Sequence, residues 1–348
     1  MMIKKLLKII LLLSLLLLAV AWYMFFTGTT SFSDSTKSFF IHTNQTDRAS
    51  ILHDLKANGI VKNTTAFDWL AKLSGFYKEA KPGRYKIEKG SSVYTILKKI
   101  SGQQDEVKLV VGKMRSRAEL SQKMARYFET DSAKTNQYLL NNDSLAALGV
   151  NEHNWMTLFI QNTYNFYWNT RPGTVLRKLK QEKEKWWSKN DRLAKAAKLG
   201  YTADEIYTIA SIVEEETNMN TDKPTVASVY MNRLKIGMPL QADPTVRYGL
   251  GDFESNRVTF AQLKTPSAYN TYLNKGLPPG PICIPSINTI DAVLQAPATD
   301  YLYFVAKPDF SGYSTFTNNY ADHMKAAKLY QDSLEAWLKR KAEKEQAK

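Results

Sequence analysis

Three consecutive glutamates end an apolar, helix-like run in the segment 209–218, which reads IASIVEEETN. A carboxyl group that sits at the border of a buried surface can give or take a proton near neutral pH, which is the chemistry of a general acid or base. Glutamates are equally common on solvated helix ends, where they do no chemistry. Their positions around the helix axis separate these two interpretations.

The sequence TADE places Thr202 and Glu205 at the spacing of a capping box, which predicts that a helix begins there. At 100° per residue, Glu214 and Glu216 border the apolar face on its two sides, whereas Glu215 points to water. Burial raises the pKa of a carboxyl group, so Glu214 and Glu216 are both candidates for an acid, or else border residues that only make hydrogen bonds. The predicted apolar face consists of Ile206, Ile209, Ala210 and Val213.

Aromatic and amide side chains cluster in two later segments of the chain. Tyrosine rings pack on the apolar faces of sugars, and amides bond to hydroxyl and N-acetyl groups, so this composition favours a carbohydrate ligand. The alternative is that these residues only form turns. The first segment, a predicted polar turn, holds Gln241, Asp243 and Tyr248, and the second holds Tyr269, Asn270 and Tyr272.

Other patterns predict the elements around these residues. A helix is expected at 225–236, a buried strand at 301–308 and a helical tail at 320–348. The charge-rich stretch 175–197 predicts one long helix, and the aromatic stretch 155–173 predicts a loop. Upstream, short strands and helices alternate over 38–100, with Val93, Ile96, Leu97 and Ile100 on one helix face. The fold class is therefore predicted to be α+β.

The first 26 residues predict a membrane helix. Lysines precede an 18-residue apolar run, 9–26, whose only polar member is a serine. At about 1.5 Å per residue this run covers most of a bilayer core of about 30 Å, and the lysines favour an inside N-terminus with the body exported. The alternative is a signal peptide cleaved after Ala21, but the apolar run continues to Phe26.

Composition narrows the function classes. The chain has 348 residues and is 44% hydrophobic, which is typical of a globular protein. Its net charge of +14 favours an anionic binding partner. Without zinc-finger spacing or an RNA-binding aromatic motif, we expect no nucleic-acid partner. Cys283 is the single cysteine, so no internal disulfide forms. The four histidines are far apart in the sequence, and we expect no metal site.

Several long segments together resemble the YceG-like endolytic murein transglycosylase family. They are ASIVEEET, VASVYMNRLKIGMPLQADPTVRYG, AYNTY, GLPPGPI and DYLYFVA, in the family's order and approximate spacing. The match is dense over 201–323, and the segment KPGRYKIEKGSSVYTILKKISG resembles the family's LysM-like region.

The resemblance implies a single-pass protein of the cell inner (cytoplasmic) membrane with its catalytic domain in the periplasm. It would cut peptidoglycan inside its glycan strands, at the β-1,4 bond from N-acetylmuramic acid to N-acetylglucosamine, leaving 1,6-anhydro ends. The implied partners are glycan strands and cell-wall synthases at the membrane, and no cofactor is implied. Domains are expected as a cytoplasmic tail (1–8), an anchor (9–26), a linker (27–37), a LysM-like domain (38–105) and a catalytic domain (106–348).

The resemblance also assigns roles to residues. The catalytic glutamate of the family's VExET segment corresponds to Glu216. Glu214 is the alternative candidate for the acid, and otherwise a neighbour that supports Glu216. Ser314 stands where the family often has a histidine, and Gln161 and Asn162 replace a Pro-Asp pair. The rival functions are a hydrolase, with Asp243 as its second carboxylate, and a non-catalytic glycan-binding scaffold. The implied substrate-binding residues are Asn232, Gln241, Asp243, Tyr248, Tyr269, Asn270 and Tyr272.

Overall fold

The structure, a computed structural model, describes residues 2–255 and 257–346. The outermost ends of the predicted tail and catalytic domain, at positions 1, 347 and 348, lie outside the described residues, as does position 256. The chain forms two compact units. The small unit comprises the residues up to 109 with 123–131 and 164–171, and the large unit comprises 110–122, 132–163 and the chain from 172 onward. The predicted domain boundaries stay predictions.

The small unit is built around a two-stranded antiparallel sheet. Its strands pair from Thr36 with Glu88 to Ile41 with Gly83. The side chains of Asp47, Asn63 and Ser92 cap three of its helices by accepting backbone hydrogen bonds. The elements are α1 (Met2–Phe26), β1 (Thr36–Ile41), α2 (Arg48–Ala57), α3 (Thr64–Leu73), α4 (Phe76–Glu79), β2 (Gly83–Glu88) and α5 (Val93–Ser101). The predicted apolar face of α5 is confirmed, since Val93, Ile96, Leu97 and Ile100 are all buried.

The rest of the chain adds two more two-stranded sheets, β3 with β4 and β5 with β6, among many helices. The predicted α+β class is confirmed. The elements are β3 (Glu106–Val111), α6 (Arg117–Tyr127), α7 (Ser132–Leu140), α8 (Asn142–Ala146), a 3-10 helix (Trp155–Leu158), β4 (Asn162–Tyr167), α9 (Pro172–Trp187), α10 (Arg192–Leu199), α11 (Ala203–Glu216), α12 (Lys223–Lys235), α13 (Asp243–Leu250), α14 (Phe260–Leu263), α15 (Ile287–Leu294), β5 (Tyr303–Ala306), β6 (Ser314–Thr317) and α16 (Tyr320–Gln346).

Helix α11 is the centre of the core of the large unit. Its predicted capping box is present, with the Thr202 and Glu205 side chains each bonding to the other's backbone. Every residue from Ile206 to Val213 is buried, so the helix is covered on all sides rather than along one face. Its polar members are satisfied internally: the Ser211 hydroxyl, for example, donates to Thr208 and accepts from the Ile282 backbone.

Three predicted elements differ from the structure. The long helix predicted at 175–197 is broken into α9 and α10, because Asn190 and Asp191 adopt positive φ angles of 57° and 55°. The loop predicted at 155–173 contains β4, in which Tyr164 and Phe166 alternate with exposed residues. Strand β5 is half-buried rather than buried, because it pairs with β6 alone in a two-stranded sheet.

The predicted polar turn around 241–248 is short and gives way to a helix. Helix α13 begins at Asp243, and Pro244 lies in its first turn, where the missing N–H costs nothing. The helix ends at Gly251, which takes the left-handed conformation with φ of 68°. Tyr248 therefore lies on a helix, more than one turn away from Asp243.

Candidate active site

A cavity of about 340 Å³ lies at the C-terminal end of α11. Four of the predicted site residues line it together: Glu216, Gln241, Asp243 and Tyr272. Six residues that the sequence did not single out complete the lining. They are Tyr230, Arg233, Tyr303, Phe304, Tyr320 and His323.

Glu216 is the carboxyl group whose surroundings suit proton transfer. Burial raises its pKa to about 7, against an ordinary value of 4.5, and the negative charge of Asp243 adds to this. The hydroxyl of Tyr230 donates a hydrogen bond to Glu216 Oε1 at 2.5 Å, which opposes the rise. Near neutral pH the group is therefore populated in both its acid and its base forms.

Tyr230 and Arg233 come from one face of α12, three residues apart. Tyr230 is buried, and burial together with the nearby Glu216 raises the pKa of its phenol well above 10, so it stays a donor. Arg233 donates to the Leu302 carbonyl at 2.7 Å and to the Leu240 carbonyl at 2.6 Å. This arginine therefore fixes β5 and the segment before α13 against α12, and brings a positive charge to the cavity wall.

A buried threonine pair holds the Asp243 side of the cavity in place. The hydroxyls of Thr245 and Thr271 lie 2.8 Å apart. The backbone N–H of Gln241 donates to the Thr271 carbonyl at 3.1 Å, and Gln241 takes a positive φ of 50° there. Across this contact the Tyr272 hydroxyl donates to Asp243 Oδ1 at 2.6 Å. These hydrogen bonds between the 241–245 and 271–272 segments fix the positions of the Asp243 and Tyr272 side chains in the cavity wall.

Glu214 points away from the cavity and into a hydrogen-bond network. It forms an ion pair with Lys223 at 3.2 Å, and the side chains of the pair are only 13% and 7% exposed. Ser286 donates to the same carboxylate at 3.0 Å, and the Thr289 hydroxyl is bonded to it as well. Lys223 also donates to Thr289 at 2.7 Å, so the network ties α11 to α12 and α15.

The prediction that Glu215 points to water is wrong. Its side chain is 11% exposed and is held by both guanidinium branches of Arg115, at 3.0 and 2.8 Å, and by Lys113 at 3.2 Å. Burial raises the pKa of Glu215, but the bonds to Arg115 and the charge of Lys113 outweigh it and lower the pKa overall. A helical wheel could not show this, because the two cations come from a distant segment.

The other predicted binding residues lie outside the Glu216 cavity. Asn232 donates to the Thr299 and Tyr301 carbonyls, each at 2.9 Å, and faces a separate cavity. Asn270 is fully buried and donates to the carbonyls of Leu263, at the end of α14, and Thr265. Tyr248 and Tyr269 pack against each other with ring centroids 4.7 Å apart, and Tyr248 lies beside Arg115. Their roles in binding substrate stay predictions.

The positions that depart from the family pattern have structural partners here. Ser314, at the family's histidine position, lies on β6 and donates its N–H to Asp222 at 2.7 Å. Gln161, in place of a proline, donates to the Ile284 carbonyl at 2.8 Å. A histidine does line the cavity, but it is His323 of α16, whose pKa is lowered by burial and by the charge of Arg233.

Comparisons with known proteins agree with this picture. The chain is 44% identical over 126 residues to the endolytic murein transglycosylase of Bacillus subtilis, and 37% identical over 127 residues to that of Streptococcus pneumoniae strain D39. These matches cover 36% and 35% of this chain but only 34% and 23% of the two relatives, so the chain matches about a third of one relative's length and about a quarter of the other's.

A crystal structure of a YceG-like protein from Listeria monocytogenes superposes with a TM-score of 0.56 at 25% identity. The superposition covers 84% of this chain and 99% of that one. The model of the YceG-like family matches residues 40–329, which is most of the chain. The chain therefore belongs to the YceG-like family.

Proposed function

We propose that the protein is a membrane-anchored endolytic lytic transglycosylase of peptidoglycan. The observation that carries the proposal is Glu216, a single carboxyl group with a pKa of about 7 in a cavity lined by hydroxyl and aromatic side chains. The names of the two relatives support the substrate class, since both are called endolytic murein transglycosylases.

One carboxyl group is enough for this reaction. Protonated Glu216 gives its proton to the glycosidic oxygen, the bond to the anomeric carbon of N-acetylmuramic acid breaks, and positive charge develops on that carbon. The ionised Glu216 then takes the proton of the C6 hydroxyl as its oxygen attacks the same carbon, which closes the 1,6-anhydro ring. Because both ends of the reaction belong to one sugar, the attack is intramolecular, which lowers its entropic cost.

The lining of the cavity supplies the contacts that such a sugar requires. Asp243, Gln241 and Tyr272 offer acceptors and donors for hydroxyl and N-acetyl groups. Tyr303 and Phe304 add aromatic surface to the cavity lining. We propose that Glu214, Asn232 and Asn270 act indirectly, by holding the elements on which the contacting residues stand.

The N-terminal helix supports the proposed location. Residues Lys4–Phe26 have a mean hydropathy of 2.7, and none of this stretch is buried. At about 1.5 Å per residue, its 23 residues can cross a hydrocarbon core of about 30 Å. We propose a single-pass anchor in the cytoplasmic (inner) membrane, a catalytic body on the periplasmic side, a LysM-like domain at 38–105 that grips glycan, and cell-wall synthases as partners.

A hydrolase is the second candidate, because Asp243 shares the cavity with Glu216. A hydrolase uses a second carboxylate to activate water or to act as the nucleophile. The Tyr272 hydroxyl occupies one oxygen of Asp243, which leaves the other available for such a role. The products of the two reactions differ by one water molecule.

The test is mass spectrometry of purified glycan strands digested by the full-length protein in detergent. We expect internal cuts that leave 1,6-anhydro ends, with Glu216→Gln as the inactive control. Reducing ends in their place, lost in Asp243→Asn, would replace the proposal by the hydrolase. Binding without any cleavage by the wild type would leave the non-catalytic scaffold.

A further inference from the structure

Six large apolar side chains of the small unit are exposed around the C-terminal end of α1. They come from three different helices and are between 46% and 71% exposed. We call this set the aromatic collar. Its members are Trp22, Tyr23 and Phe26 of α1, Trp69 and Leu73 of α3, and Tyr94 of α5.

Ring contacts hold the aromatic collar against the C-terminal end of α1. Phe25 stacks on Trp69 with ring centroids 5.5 Å apart, and Phe26 packs on Tyr94 at 5.3 Å. Trp22 in turn stacks on Phe26 at 4.7 Å. The last turn of the apolar helix is therefore in contact with both α3 and α5, and one aromatic surface runs from α1 onto the folded part of the small unit.

Helix α3 carries two large apolar side chains that are exposed. Its inner face is buried through Ala66, Phe67 and Ala71. Trp69 and Leu73 lie one turn apart along the edge of that face, outside the buried set, and are 58% and 71% exposed. An exposed apolar surface of this kind marks a contact with another molecule.

We infer that the aromatic collar rests in the outer headgroup layer of the bilayer that α1 spans, so that the small unit lies on the membrane surface. The inference rests on α1 being a membrane anchor, as proposed above. Tryptophan and tyrosine concentrate at the membrane–water interface, where the ring is in an apolar layer and its polar atom is hydrated. Lipid is the occupant because the collar continues directly from the apolar surface of α1.

An exposed lysine beside the aromatic collar also suits a lipid surface. Lys98 is exposed one turn from Tyr94 on α5, and no ion-pair partner for it occurs among the residues that the structure describes. Its ammonium group suits a lipid phosphate just above the ring of Tyr94. The collar thus has an exposed cation beside its apolar surface, a combination expected of a surface that contacts lipid headgroups.

Spin labels on the full-length protein in pure-lipid nanodiscs test this inference. Native Cys283 is buried and burial raises its pKa well above the ordinary value, so introduced cysteines can be labelled selectively. Labels at Leu73→Cys and Tyr94→Cys should collide several-fold more often with oxygen than with a polar nickel chelate. His53→Cys on α2, exposed in the same unit, is the matched aqueous control, and Leu17→Cys reports insertion of α1.

The outcomes are distinct because the nanodiscs contain, besides lipid, only the scaffold protein that bounds them. Lipid-like labels at 17, 73 and 94 with an aqueous label at 53 support the inference. An aqueous signal at 73 and 94 with a lipid-like signal at 17 overturns it and leaves the anchor standing. An aqueous signal at 17 overturns both the inference and the proposed membrane anchor. Cleavage of glycan strands by the unlabelled protein is measured separately, so a failure here is distinguishable from a failure of the proposed activity.

Discussion

Neighbouring carboxyl groups at the C-terminal end of α11 have opposite surroundings. Glu214 and Glu215 are mostly buried, and each forms at least one ion pair. Glu216 instead accepts a hydrogen bond from a neutral phenol and lines a cavity. Burial next to a cation favours the charged form, whereas burial next to a phenol leaves the desolvation cost largely uncompensated. Three identical side chains in a row are therefore two ion-paired carboxylates and one carboxyl group with a raised pKa.

The largest effect should follow from removing the acid. Glu216→Gln keeps the shape and can still accept the hydrogen bond of Tyr230, but it cannot carry a proton. General acid–base catalysis contributes about 10²–10⁴-fold, and here one group serves both steps, so we expect a loss of at least that size. Release of anhydro-ended products by the purified variant measures it, and circular dichroism checks the fold. Near wild-type release would remove Glu216 from the mechanism.

Removing the cation beside Glu214 should lower the free energy of unfolding. Lys223→Met leaves Glu214 buried without its cation, and breaking a buried ion pair costs about 3–5 kcal/mol. Urea unfolding followed by fluorescence measures this loss. The double variant Glu214→Gln with Lys223→Met should recover much of it, because neither charge is then left unpaired. Additive losses would mean that the pair is not coupled.

The raised pKa of Glu216 should make the free energy of unfolding depend on pH. The pKa of Glu216 is 4.5 when unfolded and about 7 when folded, so the folded state binds more protons between these values. The contribution to the free energy of unfolding is complete below pH 4.5 and is lost as the pH rises through 7. At about 1.4 kcal/mol per pKa unit the loss has an upper bound of about 3–4 kcal/mol.

Glu216→Gln carries no charge at any pH and serves as the comparison. The variant and the wild type should unfold alike near pH 4, and the variant should be the more stable of the two at pH 8. Urea unfolding at the two pH values measures the difference. An offset that is the same at both values would show that Glu216 does not titrate in this range.

Glu215→Gln should cost about 2 kcal/mol of stability, because it weakens charge-assisted hydrogen bonds to Arg115. This expectation reverses the one that follows from the helical wheel, on which Glu215 pointed to water. Glu184→Gln is the matched control, since Glu184 is 59% exposed and its lysine partner is 3.8 Å away. Thermal unfolding of the two variants should separate them clearly, and equal melting temperatures would contradict the role of Arg115 as a partner.

The reversal at Glu215 indicates what sequence reasoning can reach. Local signals worked: the capping box at Thr202 and the apolar face of α5 were both correct. Resemblance pointed to Gln241, Asp243 and Tyr272, which do meet Glu216 in one cavity. Each of these residues lies within a motif that could be read along the chain.

The rest depends on contacts between distant segments. Arg115 lies 100 residues before Glu215, so no pattern around α11 could indicate that pair. The break between α9 and α10 has a local cause instead: Asn190 and Asp191 take positive φ angles, which interrupts a good helical pattern. A partial signal did exist for Tyr230, because a tyrosine on the buried face of a helix needs a partner for its hydroxyl.

The smallest effect should come from that hydroxyl. Tyr230→Phe removes a hydrogen bond that lowers the pKa of Glu216, so the pKa should rise further. Activity that needs the protonated acid would then persist to higher pH, so the alkaline limb of the rate profile should move to higher pH. The maximal rate should fall about fivefold, as expected for about 1 kcal/mol of positioning. Tyr77→Phe is the control, because it removes a phenol-to-carboxylate bond of 3.1 Å to Asp68 in the small unit. A rate profile that keeps its shape in Tyr230→Phe would mean that the phenol only fills space.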